Sequence, residues 1–122
     1  MIHRAKDVGN DWPDILAELT RAFVFSRDAA VEQRSFVYVV RQDDLLGRRG
    51  TGNAIVATGL LSAARTAALE GAGKGWTANV VAIDVDADPA TVDGWAQRLL
   101  EDGGVTGEIV RIGAGHIGKA LP

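Results

Sequence analysis

Two stretches of this sequence lack the polar–apolar alternation of a half-exposed β-strand. Residues 35–40 and 77–83 are instead rich in valine and other apolar side chains at successive positions. Such strands are typical of a parallel sheet that is covered on both faces, because both sets of alternating side chains are then buried. This feature favours an α/β architecture. A third stretch, 107–112, predicts another strand of the sheet, and residues 1–5 predict a fourth.

Helical segments separate these stretches. The predicted helices are 12–33, 53–70 and 88–102. Asp11, Asn53 and Asp88 stand at their starts as candidate caps, and a proline lies in the first turn of two of the helices. Helices that alternate with strands predict right-handed crossovers and helices on both faces of a small parallel sheet. We therefore expect one α/β domain over residues 1–122.

Composition and charge exclude several classes of function. The 122 residues carry 13 basic and 16 acidic side chains, for a net charge of −3. This balance offers no basic surface to nucleic acid or to an anionic membrane. The absence of cysteine excludes disulfides, thiolate metal sites and cysteine nucleophiles. The first residues do not resemble a signal peptide, and the longest uncharged stretch, 50–64, is too short to span a bilayer, so we expect a cytoplasmic protein.

The middle helix is almost free of charge. Residues 53–73 contain seven alanines and three glycines, and Arg65 and Glu70 are their only charged side chains. Small side chains allow another helix to approach closely, whereas a helix that packs on one sheet normally keeps a polar outer side. Two interpretations follow: the helix is buried within its own chain, or its outer side forms a protein–protein interface. We favour the interface.

Five segments resemble successive elements of one protein family. They are 11–16, 34–39, 63–70, 74–82 and 105–115. The first two resemble the start of the long fourth helix of the short-chain dehydrogenases/reductases (SDRs) and the strand after it. The next two are similar to the fifth helix and its following strand, and the last is similar to the closing strand with its glycines. The resemblance is to a ketoreductase-like SDR, and it implies a partial Rossmann-like, three-layer fold.

This resemblance also locates the positions at which such reductases carry their chemistry. A tyrosine acts there as general acid, supported by a lysine, a serine and an asparagine. At these positions the present sequence has Asn53, Ala57, Val40 or Arg41, and Glu18. Ile83-Asp84 replaces the Pro-Gly pair that faces the nicotinamide. The resemblance therefore implies a truncated, degenerate C-terminal half of an SDR, without the nucleotide-binding half and without catalytic residues.

The remaining motifs predict no cofactor or metal site. A literal G-x-G-x-x-G spans 113–118, but only four residues follow it, too few for the helix and acidic residue of a dinucleotide site. Alternating aspartates within 84–88 lack the later glycine and glutamate of a calcium loop. Tyr38 is predicted to lie in the core, and His3 and His116 to be packing or surface residues. We expect NAD(P) to be bound only if a partner chain supplies its site.

These observations together predict a catalytically inactive SDR-like protein that acts by association. The predicted interface lies on the helices at 12–33 and 53–73, and its residues are Leu16, Leu19, Phe23, Leu60, Ala64 and Ala68. The last three share one helical face because they are spaced four residues apart. The predicted partner is a second copy or a full-length SDR ketoreductase of acyl or polyketide metabolism. The alternative is a divergent NAD(P)-dependent ketoreductase that takes its cofactor and catalytic groups from a partner chain.

Overall fold

The computed structural model describes residues 1–114, which form four strands and four helices. The strands are β1 (Ile2–Arg4), β2 (Phe36–Arg41), β3 (Ala78–Ile83) and β4 (Ile109–Ile112). The helices are α1 (Trp12–Val31), α2 (Gln42–Leu45), α3 (Thr51–Gly71) and α4 (Pro89–Glu101). The predicted order of strands and long helices is confirmed, including the additional strand at the start of the chain. The sequence pattern does not predict the short helix α2.

All four strands are parallel and lie in the order β1-β2-β3-β4. β2 and β3 pair along their whole length, from Phe36 opposite Ala78 to Arg41 opposite Ile83. In the described part of the chain, β1 and β4 are therefore the two edges of the sheet. This four-stranded parallel sheet with flanking helices is the α/β fold that the two apolar stretches predict.

The two faces of the sheet pack against different helices. Alternate side chains of β2 and β3, such as Phe36 and Tyr38, form one core with α1 and α3. The side chains between them, Val37, Val39 and Val81, form a second core with α4. We call these two sides the α1/α3 face and the α4 face. Because both are buried, β2 and β3 have no side that requires polar residues.

An aromatic cluster fills the α1/α3 face. The ring centroids of Phe36 and Tyr38 are 5.0 Å apart, and Phe25 of α1 lies 5.6 and 6.0 Å from them. Trp76 stacks on Phe36 at 6.4 Å. Tyr38 is fully buried, which confirms its prediction as a core residue, and this burial raises the pKa of its hydroxyl.

The crossover through α4 has the opposite hand to the two before it. Each of the three crossovers moves one strand further in the same direction across the sheet. α1 and α3 lie on one face, whereas α4 lies on the other, so the two kinds of crossover cannot have the same hand. The prediction of right-handed crossovers throughout is therefore wrong, although about 98% of such connections are right-handed. The reason is burial, because α3 already covers its own face and the second face needs α4.

The starts of the helices agree only in part with the predicted caps. Asp88 caps α4, since its carboxylate accepts a hydrogen bond from Thr91 N at 3.2 Å. Asp11 occupies the cap position of α1 without a side-chain bond to the helix. The prediction that Asn53 caps α3 is wrong, because this helix begins at Thr51 after Gly50. Gly50 has a φ of 98°, a conformation that favours glycine.

Candidate functional site

Asn53, which stands where an SDR has its tyrosine, joins the start of α3 to two loops. Val8 N, in the segment after β1, donates to Asn53 Oδ1 at 2.9 Å. Asn53 Nδ2 in turn donates to the Arg49 carbonyl at 3.1 Å. A neighbouring amide acts in the same way, because Asn10 Oδ1 accepts from Gly52 N at 2.9 Å. Asn53 is thus a buried structural anchor, and an amide has no proton to donate as a general acid.

Glu18, at the position of the family's asparagine, is the centre of a buried polar network between α1 and β1. Its Oε2 lies 2.9 Å from His3 Nε2 and accepts from Lys6 N at 3.1 Å. Arg21, one turn further along α1, donates to both Glu18 oxygens at 2.8 and 2.9 Å. Burial opposes the ionisation of Glu18, but these hydrogen bonds outweigh it and lower the pKa of the carboxyl group.

His3 is the other buried titratable group of this network. Its ring lies 5.2 Å from that of Phe25 and 5.9 Å from that of Tyr38, which confirms it as a packing residue. Burial lowers the pKa of His3 more than the hydrogen bond to Glu18 raises it. At neutral pH the network therefore holds a neutral imidazole, a carboxylate and a guanidinium. No pattern of spacing marks this contact, because strand β1 and helix α1 meet only in the folded chain.

The other positions that the resemblance connects with chemistry hold core and loop residues. Ala57 and Val40 are buried on the α1/α3 face. Asp84 follows β3, and its carboxylate accepts from Val85 N at 2.7 Å. Tyr38 is the only tyrosine of the chain, and it lies in the aromatic cluster. The structure therefore brings no tyrosine to the carboxyl end of the sheet.

A cleft of ≈ 300 Å³ opens at the carboxyl ends of β2 and β3, the edge at which parallel α/β sheets bind ligands. Arg41 and Arg49 contribute its positive charge. Arg49 lies 3.0 Å from Asp7 and 3.4 Å from Asp44, and Arg41 lies 3.6 Å from Asp7. The hydrogen bond with Asp7 raises the pKa of Arg49, whereas burial raises the pKa of Asp44. Both arginines are thus neutralised by carboxylates of their own chain.

The predicted interface residues lie on two different sides of their helices. Leu60, Ala64 and Ala68 are only 2%, 1% and 6% exposed and belong to the core on the α1/α3 face. They pack against the sheet of their own chain, so the prediction that they contact a partner is wrong. The spacing of these residues identifies one helical face but not its direction, because α3 has almost no charge on any side. Val56 and Leu61 lie on this inner face, but Ile55 and Leu69 are exposed on the other side, so side-chain size does not mark the inner face either.

The predicted residues on α1 lie toward the outside. Leu16 and Phe23 are 46% and 61% exposed, and Leu19 is half-buried near Gly59 of α3. A groove of ≈ 610 Å³ runs along the outer side of the two helices, and we call it the outer groove. Its walls include Phe23, Ala30, Val31, Gly59, Ala63 and Ala67. Leu69, at 80% exposure, lies on the same helix as the last three.

Two further kinds of site are not found in the described residues. Within 1–114, no group of three or more histidine, aspartate or glutamate side chains could hold a metal ion. None of the helices described here is long and apolar enough to cross a membrane. The glycine motif at 113–118 extends beyond the described residues, and His116 lies outside them.

Comparison with known proteins bears on the fold. No protein-family profile and no curated protein matches the sequence. Among solved structures, the chain is similar to an oxidoreductase of the short-chain dehydrogenase/reductase family from Burkholderia thailandensis, with 17% identity and a TM-score of 0.75. It is also similar to a short-chain dehydrogenase from Mycobacterium smegmatis, with 19% identity and a TM-score of 0.75.

These alignments cover most of the present chain but a smaller part of the others. They include 91% and 95% of this chain, and 61% and 58% of the Burkholderia and Mycobacterium chains. The chain thus spans about three-fifths of the length of the structures that it matches. The described residues have a Rossmann-like α/β fold in the arrangement found in SDR oxidoreductases.

Proposed function

We propose that this chain does not catalyse a reaction by itself and acts by association through the outer groove. The observation that carries the proposal is the apolar outer side of α1 and α3. It exposes Phe23, Val31 and Leu69 beside a groove whose floor and walls are largely small residues. Contiguous exposed apolar surface of this kind indicates an interaction site, and small residues let a partner helix approach closely.

The residues at the carboxyl end of the sheet support the lack of catalysis. A general acid must be a titratable group within hydrogen-bond reach of the substrate. Asn53 is not titratable and is held by two backbone groups, and Ala57 has no functional group. Glu18 is buried and bound by His3 and Arg21. A catalytic role for these positions would require the loss of contacts that hold the fold together.

Charge on the rim of the groove favours a second copy as the partner. Arg27 of α1 and Glu70 of α3 stand on opposite walls. A twofold axis brings the same patch of two copies together, so each arginine can meet the glutamate of the other copy. A full-length SDR ketoreductase of acyl or polyketide metabolism is the second partner to test, because the same helices are present in its fold.

Sedimentation of wild type and two arginine variants tests this proposal. We expect wild type to be dimeric at micromolar concentration, and Ala63→Arg to weaken the dimer by about tenfold or more, because Ala63 lines the groove. Ala90→Arg places the same side chain on the exposed start of α4 and serves as the matched control, with no expected effect. Circular dichroism should show both variants to be folded. Wild type that stays monomeric, both alone and with an SDR ketoreductase, would contradict the proposal.

Calorimetric titration with NADH and NADPH tests the absence of catalysis separately. We expect no binding to the isolated chain. Tight binding of either cofactor would overturn this part of the proposal. Binding only in a mixture with a reductase partner would instead support the alternative, in which the partner chain supplies the nucleotide site.

A further inference from the structure

α1 and α3 place their residues at matching levels along the outer groove. Each helix lies between two neighbouring parallel strands in the chain, so both run opposite to the strands and in the same direction as each other. Leu19 of α1 meets α3 at Gly59, where an added Cβ would lie 3.5 Å from the Leu19 Cδ2 atom. Because the two helices rise equally per residue, Phe23 is level with Ala63, and Arg27 is level with Ala67.

The two walls of the groove differ in the size of their side chains. α1 contributes Phe23, Arg27 and Val31, and Phe23 and Val31 are 61% and 77% exposed. The residues that α3 contributes over 59–67 are glycine, serine, alanine and threonine. At these levels, therefore, the wall formed by α1 is bulky and the wall formed by α3 is low.

A second copy can cover this surface in two ways. When two copies of one patch pack face to face, their twofold axis lies in the plane between them, either across the helices or along them. An axis across the helices places α1 on α1, with bulky wall against bulky wall, and holds the low walls of the two α3 helices apart. An axis along the helices places α1 of each copy on α3 of the other at the same level, with bulky wall against low wall.

The charged residues of the groove also fit the axis along the helices. Glu70 has no ion pair within residues 1–114. Arg27 lies 3.4 Å from Asp28, but both side chains are more than half exposed, and such surface pairs contribute little. Because Arg27 is level with Ala67, this axis brings it within about one helical turn of Glu70 of the other copy.

From these sizes and levels we infer that the outer groove takes a second copy whose twofold axis runs along α1 and α3, so that Phe23 of each copy packs on Gly59 and Ala63 of the other. This inference rests on the association proposed above and specifies its partner and its geometry. All four helices then run in the same direction. The large side chains of one copy fill the space above the small ones of the other, as the packing density of a stable interface requires.

Distances between spin labels measure the direction of this axis. The chain has no cysteine, so Thr51→Cys, Thr58→Cys and Arg65→Cys can each be labelled at one site. The three positions are exposed, lie outside the lining of the groove and are seven residues apart on one side of α3, so their levels differ by about 10 Å. With the axis along the helices, the distance between the two labels of a dimer should be nearly the same in all three variants. With an axis across the helices, it would change by up to about 20 Å from one variant to the next.

Sedimentation of the labelled chains separates the two ways in which this inference can fail. Chains that form dimers but give label distances that differ among the three sites would overturn the inferred axis and leave the proposed association intact. Chains that stay monomeric, or that pair only with an SDR ketoreductase, would overturn the second copy as the partner. As the control, Ala63→Arg in the labelled Thr58→Cys chain should remove the signal between copies, because Ala63 lines the groove. A signal that survives this substitution would show that the copies associate elsewhere, which also overturns the inference.

Discussion

The helices on the two faces of the sheet differ in what they present to solvent. α4 buries Val92, Ala96 and Leu99 against the sheet and exposes residues such as Asp93 and Gln97. α3 also buries an apolar face, but its exposed side is mostly serine, threonine and alanine with the aliphatic Ile55 and Leu69, and Arg65 and Glu70 are its only charged residues. The pattern of α4 is that of an amphipathic helix whose outer side faces solvent. The association proposed through the outer groove would account for this difference, because burial of α3 against its own sheet does not.

Polar groups inside the two cores differ as well. On the α4 side, Asn79 is completely buried, and its amide donates to the Val105 carbonyl at 2.9 Å and accepts from Glu108 N at 3.0 Å. On the other side, the buried polar groups include His3 and Glu18, which lie 2.9 Å apart. An amide is neutral at every pH, whereas an imidazole and a carboxyl group titrate. Of these three residues, only His3 and Glu18 can change their charge with pH, and their contact lies on the α1/α3 face.

The largest loss of stability is expected from a charge on the inner side of α3. Ala64→Arg should lower the free energy of unfolding by on the order of 3–5 kcal/mol, because a large charged group would be forced against the sheet. Ala63→Arg, one residue earlier on the exposed side, should change it by less than about 0.5 kcal/mol once the chains are dissociated. Urea denaturation of both variants measures the difference. Equal losses would show that the inner and outer sides of α3 are assigned wrongly.

A smaller loss of stability is expected when the pH is lowered. The folded pKa of His3 is lowered from 6.5, so the unfolded chain binds a proton there more readily than the folded chain. The stabilisation is therefore present above about pH 6.5 and is lost as the pH falls toward the folded pKa. We expect the free energy of unfolding to decrease between about pH 7.5 and pH 5.5. Glu18 contributes little in this range, because its own pKa is lowered from 4.5.

His3→Phe is the control for this pH dependence. Phenylalanine keeps an aromatic ring beside Phe25 and Tyr38, and Arg21 and Lys6 N still bind Glu18. Urea denaturation of this variant at the two pH values should show a weaker dependence than wild type. A variant as pH-sensitive as wild type would mean that another group is responsible.

The smallest effect is expected on α4, where one glycine lies in open space. An added Cβ at Gly94 meets nothing within 4 Å, so Gly94→Ala should stabilise the chain by about 0.5–1 kcal/mol through helix propensity. Gly71, at the end of α3, is the opposite case, since a Cβ there would collide with the Trp76 backbone and ring. Gly71→Ala should therefore destabilise the chain. Thermal unfolding of the two variants should give shifts of opposite sign.

The sequence predicts the helices and strands of this fold better than it predicts which side of each helix faces the sheet. The apolar runs of β2 and β3 and the cap at Asp88 depend on local pattern, and the structure confirms them. The direction of the Leu60–Ala64–Ala68 stripe depends on where the sheet lies, and an uncharged helix contains little information about that. The same holds for the hand of the last crossover, which is decided by the face that remains uncovered.

The candidate sites also depend partly on residue types that the sequence shows and partly on contacts that only the fold creates. The resemblance identifies Asn53 and Glu18 as departures from a catalytic pattern, and that conclusion needs only their residue types. Their actual partners, Val8 and His3, are 45 and 15 residues away in sequence and come close only through tertiary structure.

The place of α4 after the other long helices in the chain has a consequence for folding during synthesis. Residues 1–83 contain β1, β2, β3 and both long helices of one face, but none of the cover for Val37, Val39 and Val81. At about 5–20 residues per second, translation of residues 84–112 takes roughly 1.5–6 s. During that interval the nascent chain exposes one apolar side of its sheet, and such surface promotes aggregation and binding of chaperones. Any delay before α4 emerges and packs should therefore lower the yield of folded protein.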